Sequence, residues 1–313
     1  MWASSAVRRL WNKVDGKQLM QPWYAPQIPV ARSIEPRITW IGHATFLIQI
    51  GGFNILTDPV FGAITPLFPR NIAPGLSVDQ LPPIDALLIS HNHWDHLHGP
   101  SLLKLRPKFE RWRTEILVPM GDHHWFARWG FSDVQSFEWG QSYELETAHA
   151  KINCTFLPAE HWSRHGVFDR NKSLWGSWMI SYGQENIYFA GDSAYGPHFK
   201  EIANHFPAIT TALMPIAPCE PHRWLELTHM NAEQAVQATL DVGAHTMIPM
   251  HWGTFNFGYD YPTSAVERVQ RAWKVQGLAA ERLLVAKVGE SIDVDSKKAP
   301  LFSRAFQEIT TNY

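Results

Sequence analysis

The sequence predicts an α/β domain in which two β-sheets pack together with helices on the outside. Three observations predict it. From Arg37 onward, short apolar runs of strand length are interspersed with amphipathic stretches of helical period. The strand-like runs fall into two sequential groups, each mixed with helices, which is the pattern of two layered sheets. Several of the runs end on a residue with a metal-binding side chain, and strand ends place side chains accurately.

Residues 1–20 stand apart. Val7, Leu10, Trp11 and Val14 fall at i, i+3, i+4 and i+7, one face of a helix, while Arg8, Arg9, Lys13 and Lys17 lie mostly off that stripe against the single acid Asp15. Such a helix can rest on an anionic membrane surface or pack its stripe on the domain, and both readings stand open. Pro22, Pro26 and Pro29 then predict an extended linker. The division is residues 1–36 as helix and linker and 37–313 as the domain.

Within the domain, 38–41 and 45–50 read as strands, and Gly51-Gly52 turns the chain into a third at 53–57. A buried strand follows at 85–90. Helices are expected at 100–108 and 121–129 around a strand at 116–119, and several short strands between 134 and 191. Asn231 with Gln234 three residues on predicts a capped helix start, and Gly243 its end. A strand at 244–250, a helix at 263–276 and a strand at 282–287 complete the series.

Composition narrows the function. At 313 residues and 45% hydrophobic, the chain can bury a large core. A net charge of −2 argues against a partner gripped through phosphate backbones, so nucleic acid is not expected. Cys154 and Cys219 lack metal-site spacing and suggest no disulfide framework. No run approaches 18 uncharged apolar residues, and the N-terminus lacks the unbroken apolar stretch of a secretory signal. The expected location is a peripheral membrane surface or the cytoplasm. Histidines number 16 against 8 tyrosines, an imbalance that a metal site would explain.

The strongest motif is His91-Asn92-His93-Trp94-Asp95-His96, directly after the apolar run 84–90. In an extended segment His91, His93 and Asp95 would share a side, with His96 pointing elsewhere, so one loop could serve two adjacent metal ions. Metals need further donors, and three candidates end later strands: His161, Asp192 and His251.

The pattern of His-x-His-x-Asp-His followed by His, Asp and His resembles that of the metallo-β-lactamase fold. More specifically, the chain is similar to the N-acyl phosphatidylethanolamine-hydrolysing phospholipase D family. The matching text is Ile38-Thr39-Trp40-Ile41-Gly42-His43-Ala44-Thr45, Asn54-Ile55-Leu56-Thr57-Asp58-Pro59, Ile89-Ser90-His91 through His96, Leu174-Trp175-Gly176-Ser177-Trp178, Phe189-Ala190-Gly191-Asp192 and His251-Trp252-Gly253-Thr254-Phe255. It spans roughly residues 37–292. The resemblance implies an αβ/βα four-layer sandwich of two mixed sheets with a binuclear zinc site at one edge. It implies that His91, His93 and His161 hold one zinc, that Asp95, His96 and His251 hold the other, and that Asp192 bridges them. Iron or manganese would accept the same donors. Asp58 is read as a carboxylate that orients a histidine ligand or as a turn residue, and His43 as a supporting or a hydrogen-bonded core histidine.

The reaction this implies is attack on phosphorus by a hydroxide held between the metals. Asp95 and His229 are the candidate catalytic groups, His229 supplying a proton or a cation to the leaving alkoxide; otherwise His229 only packs before a helix. The Pro-rich stretch Phe61-Gly62-Ala63-Ile64-Thr65-Pro66-Leu67-Phe68-Pro69 suggests membrane or acyl-chain contact, or a loop folded back on the core. Expected partners are a phospholipid substrate and a peripheral membrane surface, with a homodimer left open. The alternatives are a hydrolase of a soluble phosphodiester, ester or lactone, and a metal-binding scaffold without activity, from which a missing ligand would be expected.

Overall fold

A computed structural model describes residues 23–147 and 150–294; the Val7 to Val14 stripe and its basic flank lie outside these residues. The first sheet begins with three antiparallel strands, β1 (Arg37–Gly42), β2 (Thr45–Ile50) and β3 (Phe53–Thr57). Gly51 and Gly52 take φ of 60° and 83°, the backbone that a two-residue hairpin turn needs and that glycine adopts without strain. β4 (Ala86–Leu88), β5 (Glu115–Pro119) and β6 (Val134–Phe137) extend it in parallel, and β13 (Ser291–Asp293) pairs with β1. Helices α1 (Gly99–Trp112) and α2 (His123–Arg128) make the crossovers.

The second sheet runs β12-β11-β10-β9-β8-β7. β7 (Ser142–Glu146), β8 (Lys151–Leu157), β9 (Ser177–Tyr182) and β10 (Glu185–Phe189) are antiparallel neighbours; β11 (Thr211–Pro215) and β12 (Thr246–Met250) add in parallel. α3 (His198–His205) and α5 (Ala232–Asp241) cross over, and α6 (Ser264–Val275) follows β12. Both sheets are mixed, as the family resemblance implies.

The layers follow from side-chain alternation. Phe46, Ile48 and Ile50 of β2 face the cluster between the sheets, where they meet Phe156, Trp178 and Phe189; Leu47 faces the opposite cluster with Leu102, Leu105 and Phe109 of α1. A strand covered on both faces has no solvent side, which is why 45–50 is almost continuously apolar. The capping box at α5 is present: Asn231 accepts from the Gln234 backbone, Gln234 accepts in return, and Gly243 ends the helix at φ 73°.

The predicted strand at 282–287 does not form. Ala280–Arg282 is a 3₁₀ turn, Leu283 makes one isolated bridge to Met247, and the Arg282 guanidinium takes the carbonyl of His245. The apolar run is satisfied by packing against the core. The short helix α4 (His222–Leu225) is not legible in the sequence. Residues 23–27 are fastened along the domain: Trp23 meets Trp252 edge-on at 5.5 Å, and Ala25 and Gln27 donate to Val288 and Gly289. No helix among the described residues is long and apolar enough to cross a membrane.

Candidate metal centre

The loop after β4 carries the first four donors, and it does not reach them by extension. Beyond Asn92 the chain turns, with the His96 and Leu97 amides both donating to the His93 carbonyl at 2.9 and 2.8 Å. The expectation that His96 points away is therefore corrected. The turn swings it back, and its ring centre lies 4.1 Å from that of His91.

The distant donors arrive on the second sheet. His161 follows β8, Asp192 follows β10 and His251 follows β12. Two groups result. In one, His91 Nε2 and His161 Nε2 lie 2.9 and 3.1 Å from His93 Nδ1. Ligand nitrogens around a tetrahedral ion with bonds of about 2.0 Å stand about 3.3 Å apart, close to what is seen. In the other, Asp95 Oδ2 lies 3.4 Å from His96 Nε2 and 3.5 Å from His251 Nε2. Asp192 sits between the two. Its Oδ2 is 3.3 Å from His96 Nε2 and 3.9 Å from both His91 and His161, while its Oδ1 is 3.2 Å from His251. All seven residues singled out in the sequence converge.

The outer nitrogens are tied down so that the inner ones face the centre. Ser90 donates its hydroxyl to Asp58 Oδ2, which leaves its oxygen to accept from His91 Nδ1. Asp58 Oδ2 also accepts from His96 Nδ1 at 2.7 Å. Backbone carbonyls of Thr228 and Ala217 hold His161 and His251. His43 Nε2 sits 2.8 Å from Asp95 Oδ2. Left behind are buried atoms without hydrogen-bond partners: Nε2 of His96 and His251, Oδ1 of Asp192 and Nε2 of His93. Unpaired buried polar atoms are costly, and a cation that displaced the protons of the two imidazoles would satisfy three of these four, both Nε2 atoms and Oδ1 of Asp192. The donors thus fit metal.

Backbone strain gathers at the same place. His43, Asp58 and His251 take φ of 57°, 32° and 64°, three of the five non-glycine residues with positive φ among those described. Each such conformation costs on the order of 1 kcal/mol and persists only where its surroundings hold it.

The protons are distributed unevenly. Burial pushes His91 and His161 well below the ordinary imidazole value and His93 to about 4. Burial acts the same way on His251 and His96, but the Asp192 charge, with Asp95, overcomes it. It holds His251 at about 9 and His96 well above its usual value. Both rings must lose a proton to bind a cation. Chelator-stripped protein is therefore expected to release protons on zinc uptake at neutral pH. Its apparent affinity should fall about ten-fold per pH unit below about 9 for the His251 proton, and the His96 proton should steepen that fall. A zinc titration in weak buffer with a pH indicator reads this directly; equal proton release at pH 7 and at about pH 10 would contradict it.

His229 lies beside the centre, its Nδ1 3.8 Å from Asp192 Oδ2. Burial lowers it to about 4, so at neutral pH it is an uncharged N–H donor; the expectation of a cation there is narrowed accordingly. Sequence reasoning missed Ser90, Thr228, Ala217 and Thr254, whose hydroxyl accepts from the His43 amide at 2.8 Å. Two of these act through backbone carbonyls, which leave no mark on residue type.

Known proteins resemble the chain over the region that carries these residues. A family model described as Beta-lactamase superfamily domain matches residues 53–252, a span that holds all seven converging residues and stops short of His43. An uncharacterized protein of Mycobacterium tuberculosis is 33% identical over 262 residues, covering 80% of this chain and 68% of that protein. The N-acyl-phosphatidylethanolamine-hydrolyzing phospholipase D 1 of Caenorhabditis elegans is 31% identical over 234 residues, 70% of this chain and 64% of its own length. Igni18, a metallo hydrolase of Ignicoccus hospitalis, superposes with a TM-score of 0.61 at 22% identity, covering 82% of this chain and 97% of that one.

Proposed function

Because the chain belongs to the beta-lactamase superfamily and its clustered histidines and aspartates fit a metal, we propose that it is a metal-dependent hydrolase, a phosphodiesterase of phospholipase D type. It holds two zinc ions and cleaves N-acyl phosphatidylethanolamine to phosphatidic acid and N-acylethanolamine. The observation that carries the reading is Asp192, one carboxylate set among imidazoles of both groups. Bound there, a metal pair supplies Lewis-acid polarisation of the phosphoryl oxygens and lowers the pKa of the attacking water.

The chain's own residues do the rest. Asp58 and the two carbonyls fix the imidazole orientations, and His43 steadies Asp95. His229 offers a neutral N–H toward a phosphoryl or leaving oxygen. Water adds to phosphorus, the bond to the ethanolamine oxygen breaks, and the proton given up by water ends on that oxygen.

Apolar side chains around the centre support a lipid substrate. Leu67 is 81% exposed at the tip of the 61–69 loop, whose Phe68 stacks on Phe257, and Phe257 stacks on His251. Trp224 and Leu227 stand exposed just before His229. The base of the 61–69 loop folds into the core at Val60 and Ile72, so the stretch is both packed and projecting. A cavity of about 380 Å³, lined by Trp94, Leu97, Leu103 and Trp129, opens beside the loop that bears His93 and Asp95. The relation to the worm and yeast phospholipases, the latter 28% identical over 243 residues and half of its length, favours the same substrate.

The test is hydrolysis by zinc-loaded protein of N-acyl phosphatidylethanolamine in mixed micelles, beside bis-p-nitrophenyl phosphate and a lactone. Phosphatidic acid and N-acylethanolamine should appear by mass spectrometry and cease with chelator. Turnover of only the soluble compounds would replace this reading with that of a soluble-ester hydrolase.

A further inference from the structure

Arg70 lies outside the donor set, and nothing in the centre accounts for it. Its Nη1 donates to the Val60 carbonyl at 2.7 Å and its Nε to the Ile72 carbonyl at 3.0 Å, so one guanidinium ties both ends of the loop that carries Leu67. Its Nη2 is buried and has no hydrogen-bond partner. That atom packs on the Gly42 backbone, where an added Cβ would stand 2.5 Å from it. Among the described residues no carboxylate pairs with it, although burial lowers its pKa only to about 10 and it stays charged. A buried cation without a counter-charge is expensive, and here only two carbonyls and a ring face offset it. The ring is Phe255, 5.3 Å from Arg70 Cζ.

From these contacts a connected path leads to the centre. Phe255 meets the His43 ring edge-on at 5.0 Å. Next to Arg70, the Asn71 amide donates to the Thr254 carbonyl at 2.8 Å, and the Thr254 hydroxyl accepts from the His43 amide at 2.8 Å. His43 is held in a left-handed conformation at φ 57°, which needs such support. Its Nε2 meets Asp95 Oδ2 at 2.8 Å.

We propose that Arg70 is a positioning residue for the metal centre: it clamps the 60–72 loop against the Gly42–His43 turn and Phe255, and so fixes His43 on the Asp95 carboxylate. Lysine cannot replace it, because a compact ammonium lacks the planar fork that spans two carbonyls and lies on a ring. The same clamp couples the apolar loop to the centre, since the loop's two ends and His43 share one anchor.

The inference rests on Asp95 being a donor of the proposed centre, so its test reads cation binding apart from hydrolysis. Arg70→Lys and Arg70→Ala are made in the full chain. Zinc affinity is measured by competition with a chromogenic chelator, and turnover of bis-p-nitrophenyl phosphate at saturating zinc. Both variants should bind zinc about ten-fold more weakly or worse, the size of effect that a residue supporting a ligand has. The loss of turnover should fall on kcat rather than KM. Millimolar guanidinium should restore Arg70→Ala but not Arg70→Lys. Wild-type zinc affinity and kcat in Arg70→Lys overturn the proposal, and that variant decides alone if Arg70→Ala fails to fold. If the wild-type protein hydrolyses no phosphodiester while Arg70→Lys still weakens zinc binding, the functional reading fails and the positioning role stands.

Discussion

Asp192→Asn is expected to lower phosphodiester turnover by roughly 10³-fold or more, since even a partner one step removed from a metal costs 10–100-fold. Both oxygens of Asp192 face imidazoles: Oδ1 lies 3.2 Å from His251, and Oδ2 lies 3.3 Å from His96 and 3.9 Å from His91 and His161. An amide offers one acceptor and no charge, so it can serve one group of donors and not both. Asparagine keeps the volume, and Asp192 is buried at the end of a strand, so the fold should survive. Circular dichroism, metal content and bis-p-nitrophenyl phosphate turnover on one sample check this. A variant with half the metal would show that the two groups bind independently. Wild-type turnover with full metal content would remove Asp192 from the centre.

Asp58→Asn should weaken metal binding by about 10–100-fold through the tautomer of a ring that it never leaves. Asp58 accepts three hydrogen bonds: from the Ser90 amide, from the Ser90 hydroxyl and from His96 Nδ1. The last keeps a proton on His96 Nδ1, so the proton that gives way to a cation is the one on Nε2. An amide that keeps the Ser90 amide contact turns N–H toward His96. The imidazole must then accept at Nδ1 and carry its proton on Nε2, the atom a cation needs. The same amide nitrogen replaces the oxygen that accepts from the Ser90 hydroxyl, so a buried O–H loses its acceptor, a loss of about 1–3 kcal/mol in stability. Chelator competition together with a thermal melt separates the two effects. Undiminished affinity in a destabilised protein would reduce Asp58 to a turn residue.

Much of this was written in residue types. The two-glycine hairpin, the capping box at Asn231 and the continuous apolar strands identify themselves, because each follows from a local rule of backbone or burial. The seven donors are legible through the dense His91–His96 motif and the family resemblance that it anchors, since a lone histidine or aspartate at a strand end is more often an ordinary loop residue. What escaped the sequence is geometry made by turns and long contacts. The swing of His96 depends on two amides that share the His93 carbonyl. The grip of Thr254 on His43 joins residues 211 positions apart. Leu283 to Ala286 has the composition of a strand, and only the paired neighbour decides whether it becomes one. The protonation of His229 could not be read either, since it depends on how deeply the ring is set.

The donors come from both sheets: the His91–His96 loop, held by His43 and Asp58, from the first, and His161, Asp192 and His251 from the second. Neither half of the chain owns a usable cage. The chelate is closed across 160 residues, from His91 to His251, and the entropy of closing so large a ring is met when the two faces of hydrophobic core seal against each other. An arriving ion then finds its coordination sphere already assembled, and its affinity reports on the seal between the layers as much as on the ligands themselves.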